Sequence, residues 1–148
     1  MKPQTGMLLK ATAALNGTNF ENAVILITDY NDKGATGFII NKVFARTLNE
    51  LEEFKHSPVF SLYEGGPVDT EHLFFIHRRP DIVTEGKAIG DGIYFGGNFK
   101  QAVTAINNKS LTTADIKIFI GYCGWNAGEL EAEIAEGSWE PVEEEVFA

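Results

Sequence analysis

The stretch from Ile116 to Ile134 constrains this chain more than any other. It opens with Ile116, Ile118, Phe119 and Ile120, an apolar, β-branched run that reads as a buried strand. Gly121 and Gly124 follow, and glycine at that spacing predicts a sharp change of direction. Leu130 and Ile134 then stand at i and i+4 among glutamates, which is amphipathic helix spacing. A strand that feeds a helix through a glycine turn brings a strand end and a helix N-terminus together. In α/β proteins that junction is where ligands bind and chemistry sits.

The remaining segments decide what surrounds that unit. Thr5–Ala11 reads as a short strand, and Ala23–Tyr30 as an apolar strand buried on both faces. Asn31-Asp32-Lys33-Gly34 is hairpin-turn chemistry, so Ala35–Ile40 should return as the partner strand, ending at Asn41. Thr47-Leu48-Asn49-Glu50 fits a capping box and predicts a short helix through Leu48, Leu51 and Phe54, closed by Pro58. Val59–Tyr63 and Leu73–His77 read as strands, and Ala88–Phe95 as one strand interrupted by Gly90 and Gly92. Asn98 should cap a helix that carries Phe99, Val103 and Ile106 on one face, and a last helix spans 127–136. About six strands, often adjacent, with about three helices predict an α+β fold with a mixed or largely antiparallel sheet.

Charge narrows the partners. The net charge is −9, yet eight of the 21 acids lie between Glu129 and Glu145, and all 12 Lys and Arg precede them. Residues 1–128 are therefore close to neutral, at −1. No basic stripe of the kind non-specific DNA binding requires is present, so direct nucleic-acid binding is not expected. His77-Arg78-Arg79 reads as the start of a solvated loop rather than a phosphate grip. No apolar run reaches bilayer length, and the first ten residues lack the sustained apolar core of a signal peptide. The single cysteine cannot form an internal disulfide, which suits a cytoplasmic protein.

Several segments occur together in one order. They are Gly6-Met7-Leu8-Leu9 with Ala11 and Leu15; Phe20 with Val24; Gly34-Ala35-Thr36-Gly37 ending at Asn41; Gly65-Gly66-Pro67-Val68; His77; and Gly121-Tyr122-Cys123-Gly124-Trp125 with Leu130-Glu131. As an ordered set over residues 6–139 they resemble the AlgH/YqgE family of bacterial proteins. The resemblance implies a fold around a partly closed sheet, in a cytoplasmic protein of no established biochemical activity. It also carries the label of transcriptional regulator, through a link to alginate production. Glu129 stands where the family usually has Gln, an anion in place of an amide. Family members usually continue into a further C-terminal helical segment. A single AlgH-like domain over 1–148, lacking that segment, is the expectation.

The candidate chemistry is sparse. Cys123 is the one residue placed like a nucleophile, since Gly121-Tyr122-Cys123-Gly124 resembles half of a nucleophile elbow and a helix follows. Trp125 stands where the elbow needs glycine, and a thiol enzyme also needs a base, for which His77 is the candidate. A buried structural cysteine is the competing reading. His72 and His77 lie on opposite faces of a strand, and no other His/Cys spacing suits a metal, so neither metal nor cofactor is expected. Glycines at strand ends make concavities. Asn41, Gly65, Gly66, Pro67, Cys123, Gly124 and Trp125 are therefore expected around one pocket, with His77 near its edge. Glu129 would oppose an anion there, which favours a neutral or weakly charged small ligand, or a protein partner. The functional expectation is an interaction or regulatory module, with a thiol hydrolase or transferase using Cys123 as the alternative.

Overall fold

The computed structural model describes residues 2–147. Ten strands and two α-helices form among them. In chain order these are β1 (Leu8–Ala11), β2 (Val24–Asn31), β3 (Gly34–Ile39), β4 (Val43–Thr47), β5 (Ser61–Glu64), β6 (Val68–His77), β7 (Lys87–Gly90), β8 (Ile93–Phe95), α1 (Phe99–Asn107), β9 (Ile116–Asn126), α2 (Glu129–Ala135) and β10 (Trp139–Pro141). The main sheet path runs β10-β1-β2-β3-β9-β6-β8-β7, with β5 beside β9 and β4 beside β5. Every pairing is antiparallel except β5 with β9.

Alternation along β2 shows why the sheet has two packed faces. Ile25 and Ile27 point to a cluster with Leu9, Cys123, Leu130 and Trp139. Val24 and Leu26 point the other way, to Phe38, Ile76, Phe119 and Phe147. That second cluster draws residues from most of the sheet onto its concave side, around Phe38 and Phe119, whose ring centroids are 4.9 Å apart. Helix α1 covers the outer face of the other half, through Ala102, Ala105 and Ile106 against Phe75, Ile116 and Ile118. The sheet thus curls around an aromatic centre, with one helix on each outer flank.

Four expectations change. The sheet curls without closing: no backbone ladder joins β10 or β1 to β7 among the described residues, so it is open rather than partly closed. The helix expected after Thr47 is two 3₁₀ turns, Leu48–Glu50 and Glu52–Phe54. Thr47 N–H does donate to Glu50 Oε1 at 3.1 Å, but Leu51 is extended at φ −84°, ψ 135° and ends the turn. So short a segment cannot sustain a helix once tertiary packing draws Leu48 inward. Ala88–Phe95 is a hairpin, β7 and β8, reversed at Asp91 and Gly92, both at positive φ.

The fourth change concerns the organising strand. β9 does not turn at Gly121–Gly124 but continues to Asn126, and Cys123, Gly124 and Trp125 pair with Gly37, Thr36 and Ala35 of β3. The chain reverses at Ala127-Gly128, with Gly128 at φ +82° capping α2. The long β9 changes partner along one side, from β5 at 118–120 to β3 at 123–126.

Candidate functional site

The partner change on β9 fixes the geometry of the Gly65-Gly66-Pro67 step. Gly65 N–H donates to Ile120 O at 2.9 Å, and Gly65 O accepts from Ile39 N–H at 2.9 Å. Both of its backbone groups are therefore engaged in the sheet and neither is free for an anion. A Cβ on Gly66 would lie 2.2 Å from both Tyr122 C and Tyr122 O, and one on Gly121 would lie 2.3 Å from Gly66 O. These glycines let two backbones touch. Gly124 is different, since its Cβ would meet only Tyr122 Cε1, at 3.5 Å.

Two hollows open beside this step. The larger, about 340 Å³, is lined by Asn19, Phe20, Ile39, Lys42, Glu64, Gly66, Pro67 and Thr70. The smaller, about 160 Å³, is lined by Phe20, Pro67, Val68, Cys123, Gly124, Trp125, Glu129, Glu133 and Trp139. Phe20 and Pro67 line both, so the two hollows adjoin along one surface groove, on either side of these two side chains. Lys42 Nζ lies 3.5 Å from Glu64 Oε2 at the rim of the larger hollow. In the smaller one Glu133 Oε1 accepts from Trp125 Nε1 at 3.1 Å and from Trp139 Nε1 at 2.9 Å, fixing both indoles from α2. Glu129, on the same face one turn earlier, accepts from Asn126 N–H through Oε1.

The residues predicted from sequence divide between this groove and other places. Gly66, Pro67, Cys123, Gly124 and Trp125 line it. Gly65 sits behind it, with both backbone groups in the sheet. Asn41 is used locally: its Oδ1 accepts from Val24 N–H and its Nδ2 donates to Asn22 O, both at 2.9 Å, tying the end of β3 to the entry of β2. His77 lies elsewhere. It pairs with Ile116 at the opposite end of β9, on the order of 20 Å from Cys123 at strand rise.

His77 is a satisfied core histidine. It is fully buried and stacks between Phe75 and Tyr94, at 5.9 Å and 5.6 Å. Nδ1 accepts from Arg79 N–H at 3.1 Å, which leaves Nε2–H to donate to Gly96 O at 3.2 Å, so the ring is neutral. Burial lowers its pKa, against the smaller opposing effect of the Gly96 carbonyl. Cys123 is 3% exposed, and its Sγ–H donates to Gly65 O at 3.4 Å. Burial, then the charge of Glu133, pushes its thiol up to about 12, so it is not a thiolate at neutral pH. With no elbow, no adjacent base and no ionised sulfur, Cys123 and His77 do not assemble a thiol catalytic pair. The basic cluster is also accounted for. Arg79 makes a bidentate pair with Asp81 at 2.9 Å, and Arg78 lies over the Phe147 ring at 5.1 Å.

Sequence reasoning missed Phe20, Lys42, Glu64, Thr70, Glu133 and Trp139 as groove residues. Glu129 and Glu133 at i, i+4 share one helix face, which was a legible signal. Trp139 reaches the site only because β10 pairs with β1, with Trp139 opposite Ala11. Nothing local in the sequence announces that pairing.

The chain folds as a curled, mostly antiparallel α+β sheet with a groove at the point where its long strand exchanges partners. The comparisons then place the chain in a family. It belongs to the AlgH-like family (DUF179), whose profile matches residues 8–146. A UPF0301 protein of Chlorobaculum parvum is 35% identical over 136 residues, covering 92% of this chain and 73% of the relative. One of Parabacteroides distasonis is 35% identical over 139 residues, covering 93% and 70%. The solution structure of the AlgH protein from Pseudomonas aeruginosa is similar at a TM-score of 0.75 and 26% identity, over 99% of this chain and 85% of that one. Protein DIP2367 from Corynebacterium diphtheriae shares the fold at a TM-score of 0.75 and 20% identity, over 97% and 78%. No helix among the described residues is long and apolar enough to cross a membrane.

Proposed function

We propose that this protein is a non-catalytic recognition and regulatory module, acting in the cytoplasm as one unit over 1–148, with its recognition cleft in the groove along Pro67. The observation that carries the reading is the adjacency of the two hollows on either side of Phe20 and Pro67, with apolar and aromatic side chains in their walls and polar side chains at their borders. Apolar walls with a few placed polar groups are the usual make-up of ligand sites. The occupant is a small molecule or a segment of a protein partner, and the reading calls for neither metal nor cofactor. The lone cysteine, kept as a buried protonated thiol, supports a reducing compartment.

The same reading assigns no direct role on DNA. The two helices α1 and α2 are separated by β9 and form no helix-turn-helix pair, and the near-neutral body offers no phosphate-gripping stripe. Duplex binding at physiological salt should be no tighter than about 10⁻⁴ M. A sequence-dependent submicromolar complex would reverse that part of the reading.

The test is co-purification of metabolites and proteins on the full-length protein from native lysate, followed by amide shift mapping of whatever is retained. Shifts should centre on Gly66, Thr70, Gly124 and Trp125, and Trp125→Ala should abolish retention. Ligands whose shifts cluster instead around His77 or α1 would move the site away from the groove.

A further inference from the structure

We propose that a third hollow, beside the start of α1, docks a basic segment of a partner protein through one bulky apolar side chain with Lys or Arg on either side of it. The hollow holds about 460 Å³ and shares only Thr70 with the groove. Its floor exists because α1 is shorter than the sheet face it covers. Ile116, Ile118 and Ile120 share one face of β9, and Leu73 and Phe75 share the matching face of β6, Leu73 opposite Ile120 and Phe75 opposite Ile118. Helix α1 buries Phe75, Ile116 and Ile118, but it leaves the Leu73–Ile120 pair half-buried beside its first residue, Phe99. Leu51 and Phe54 from the 3₁₀ turns complete the walls, with Phe54 edge-on to Phe99 at 5.8 Å. All five of Leu51, Phe54, Leu73, Phe99 and Ile120 are half-buried, so the apolar floor is open to solvent.

The rim around this floor is acidic, and its charges come from two separate elements. Glu52 and Glu53 stand on the second 3₁₀ turn. Glu71 stands on β6, where residues 69–72 bulge out against Gly121 alone, starting from Asp69 at φ +53°. Glu53 and Glu71 are exposed and form no salt bridge among the described residues. No Lys or Arg among the described residues lines the hollow; Lys55 reaches Glu52 at 3.2 Å in an exposed pair, and His72 on the rim is taken by Asp69. Carboxylates on two elements around an apolar floor match positive charge on both sides of an apolar anchor. A small monocation answers only one of them, a neutral ligand neither, and an anionic membrane surface is repelled. A basic protein segment supplies the anchor and both charges in one chain.

Size agrees. About 460 Å³ is the room of roughly fifteen water molecules at ~30 Å³ each, enough for one or two large side chains. The proposal rests on this hollow's own walls and goes beyond the groove, so either site can fail alone.

The experiment titrates the protein with the acetylated, amidated hexapeptide Lys-Lys-Leu-Phe-Lys-Lys and reads amide shifts at Glu71, Leu73 and Phe99, none of which lines the groove. Two control peptides replace the lysines with glutamates or the Leu-Phe pair with Gly-Gly. The basic apolar peptide should shift those amides, bind at least about tenfold more tightly than either control, and weaken as NaCl is added. The double variant Glu53→Gln, Glu71→Gln removes two exposed charges that hold no partner, so it should fold as the parent does and weaken the peptide several-fold. Binding of either control as tight as that of the basic apolar peptide, or no binding of the latter at millimolar concentration, would overturn the proposal. Shifts at these amides caused by self-association of the protein alone would also overturn it and give the face to a second copy. The groove is judged separately, by the shifts of lysate-derived ligands at Gly66, Gly124 and Trp125.

Discussion

Replacing Gly66 with alanine tests the claim that the Gly65-Gly66-Pro67 step is built for backbone contact. The new Cβ would sit 2.2 Å from Tyr122 C and O and 2.5 Å from Cys123 N, all backbone atoms inside a paired strand. No rotamer change relieves such a contact, so the connection must retreat from β9 by roughly 1 Å to regain van der Waals distance. That displacement stretches Gly65 N–H to Ile120 O and Ile39 N–H to Gly65 O, each now 2.9 Å, beyond hydrogen-bond length. Overpacking costs about 1–3 kcal/mol, and each buried group left without its partner adds about 1–3 kcal/mol. Partial relaxation brings the expected loss to about 3–5 kcal/mol, a fall in Tm of about 10 °C for a chain of this size. Urea denaturation followed by circular dichroism measures it, with Gly124→Ala as the control. The control adds a Cβ that meets only Tyr122 Cε1, at 3.5 Å, and should change stability by less than about 1 kcal/mol. If Gly66→Ala is as mild as Gly124→Ala, the close-approach argument is wrong.

Three further outcomes are expected. Asn98 Oδ1 accepts from Gln101 N–H at 3.0 Å at the start of α1, so Asn98→Ala should cost about 1 kcal/mol and Asn98→Ser or Asp much less, read from the same urea curves. Alkylation of Cys123 by iodoacetamide should be far slower than for an exposed thiol at pH 8 and should accelerate on unfolding; a rate that levels off near pH 8.5 in the folded protein would contradict the buried, protonated thiol. Lys117 is buried, donates to Ile40 O at 2.9 Å and lies 4.3 Å over the Tyr63 ring, and burial lowers its pKa from 10.5 to about 8. Between those two values the unfolded chain holds a proton that the folded one has released, so stability should rise with pH across that window, by up to about 3 kcal/mol. Lys117→Met should flatten that rise, and an unchanged pH profile would count against it.

What the sequence made legible follows from where local signals and tertiary demands agree. The β2–β3 hairpin formed as read because Asn31 to Gly34 carries its turn chemistry locally, with Lys33 N–H donating to Asn31 Oδ1 at 2.8 Å. The α1 cap formed as read for the same reason. Gly121 misled because glycine marks both turns and close backbone approach, and here it faces Gly66 O, while Gly124 is an ordinary ladder residue opposite Thr36 with no close approach. Strand β4 was missed because Val43 to Thr47 lies largely exposed and shows no clear alternation, and β10 because it is three residues ending in proline. His77 was misplaced because a period-two pattern assigns a face but not an end of the sheet. The edge-to-face aromatic packing beside the groove joins residues 20, 125 and 139, which no local window contains.

The partner exchange along β9 also sets a timetable for synthesis. β3 has its second neighbour only when residues 123–126 exist, and β1 gains its outer neighbour only with β10. At ~5–20 residues per second, roughly 4–17 s separate the emergence of Ile39 from that of Asn126. During that interval the β2–β3 hairpin presents a bare, apolar edge to solvent. Such an edge is a template for pairing with other nascent chains. Ribosome-bound fragments ending before Gly121 should therefore engage holding chaperones, and fragments that include β9 should release them.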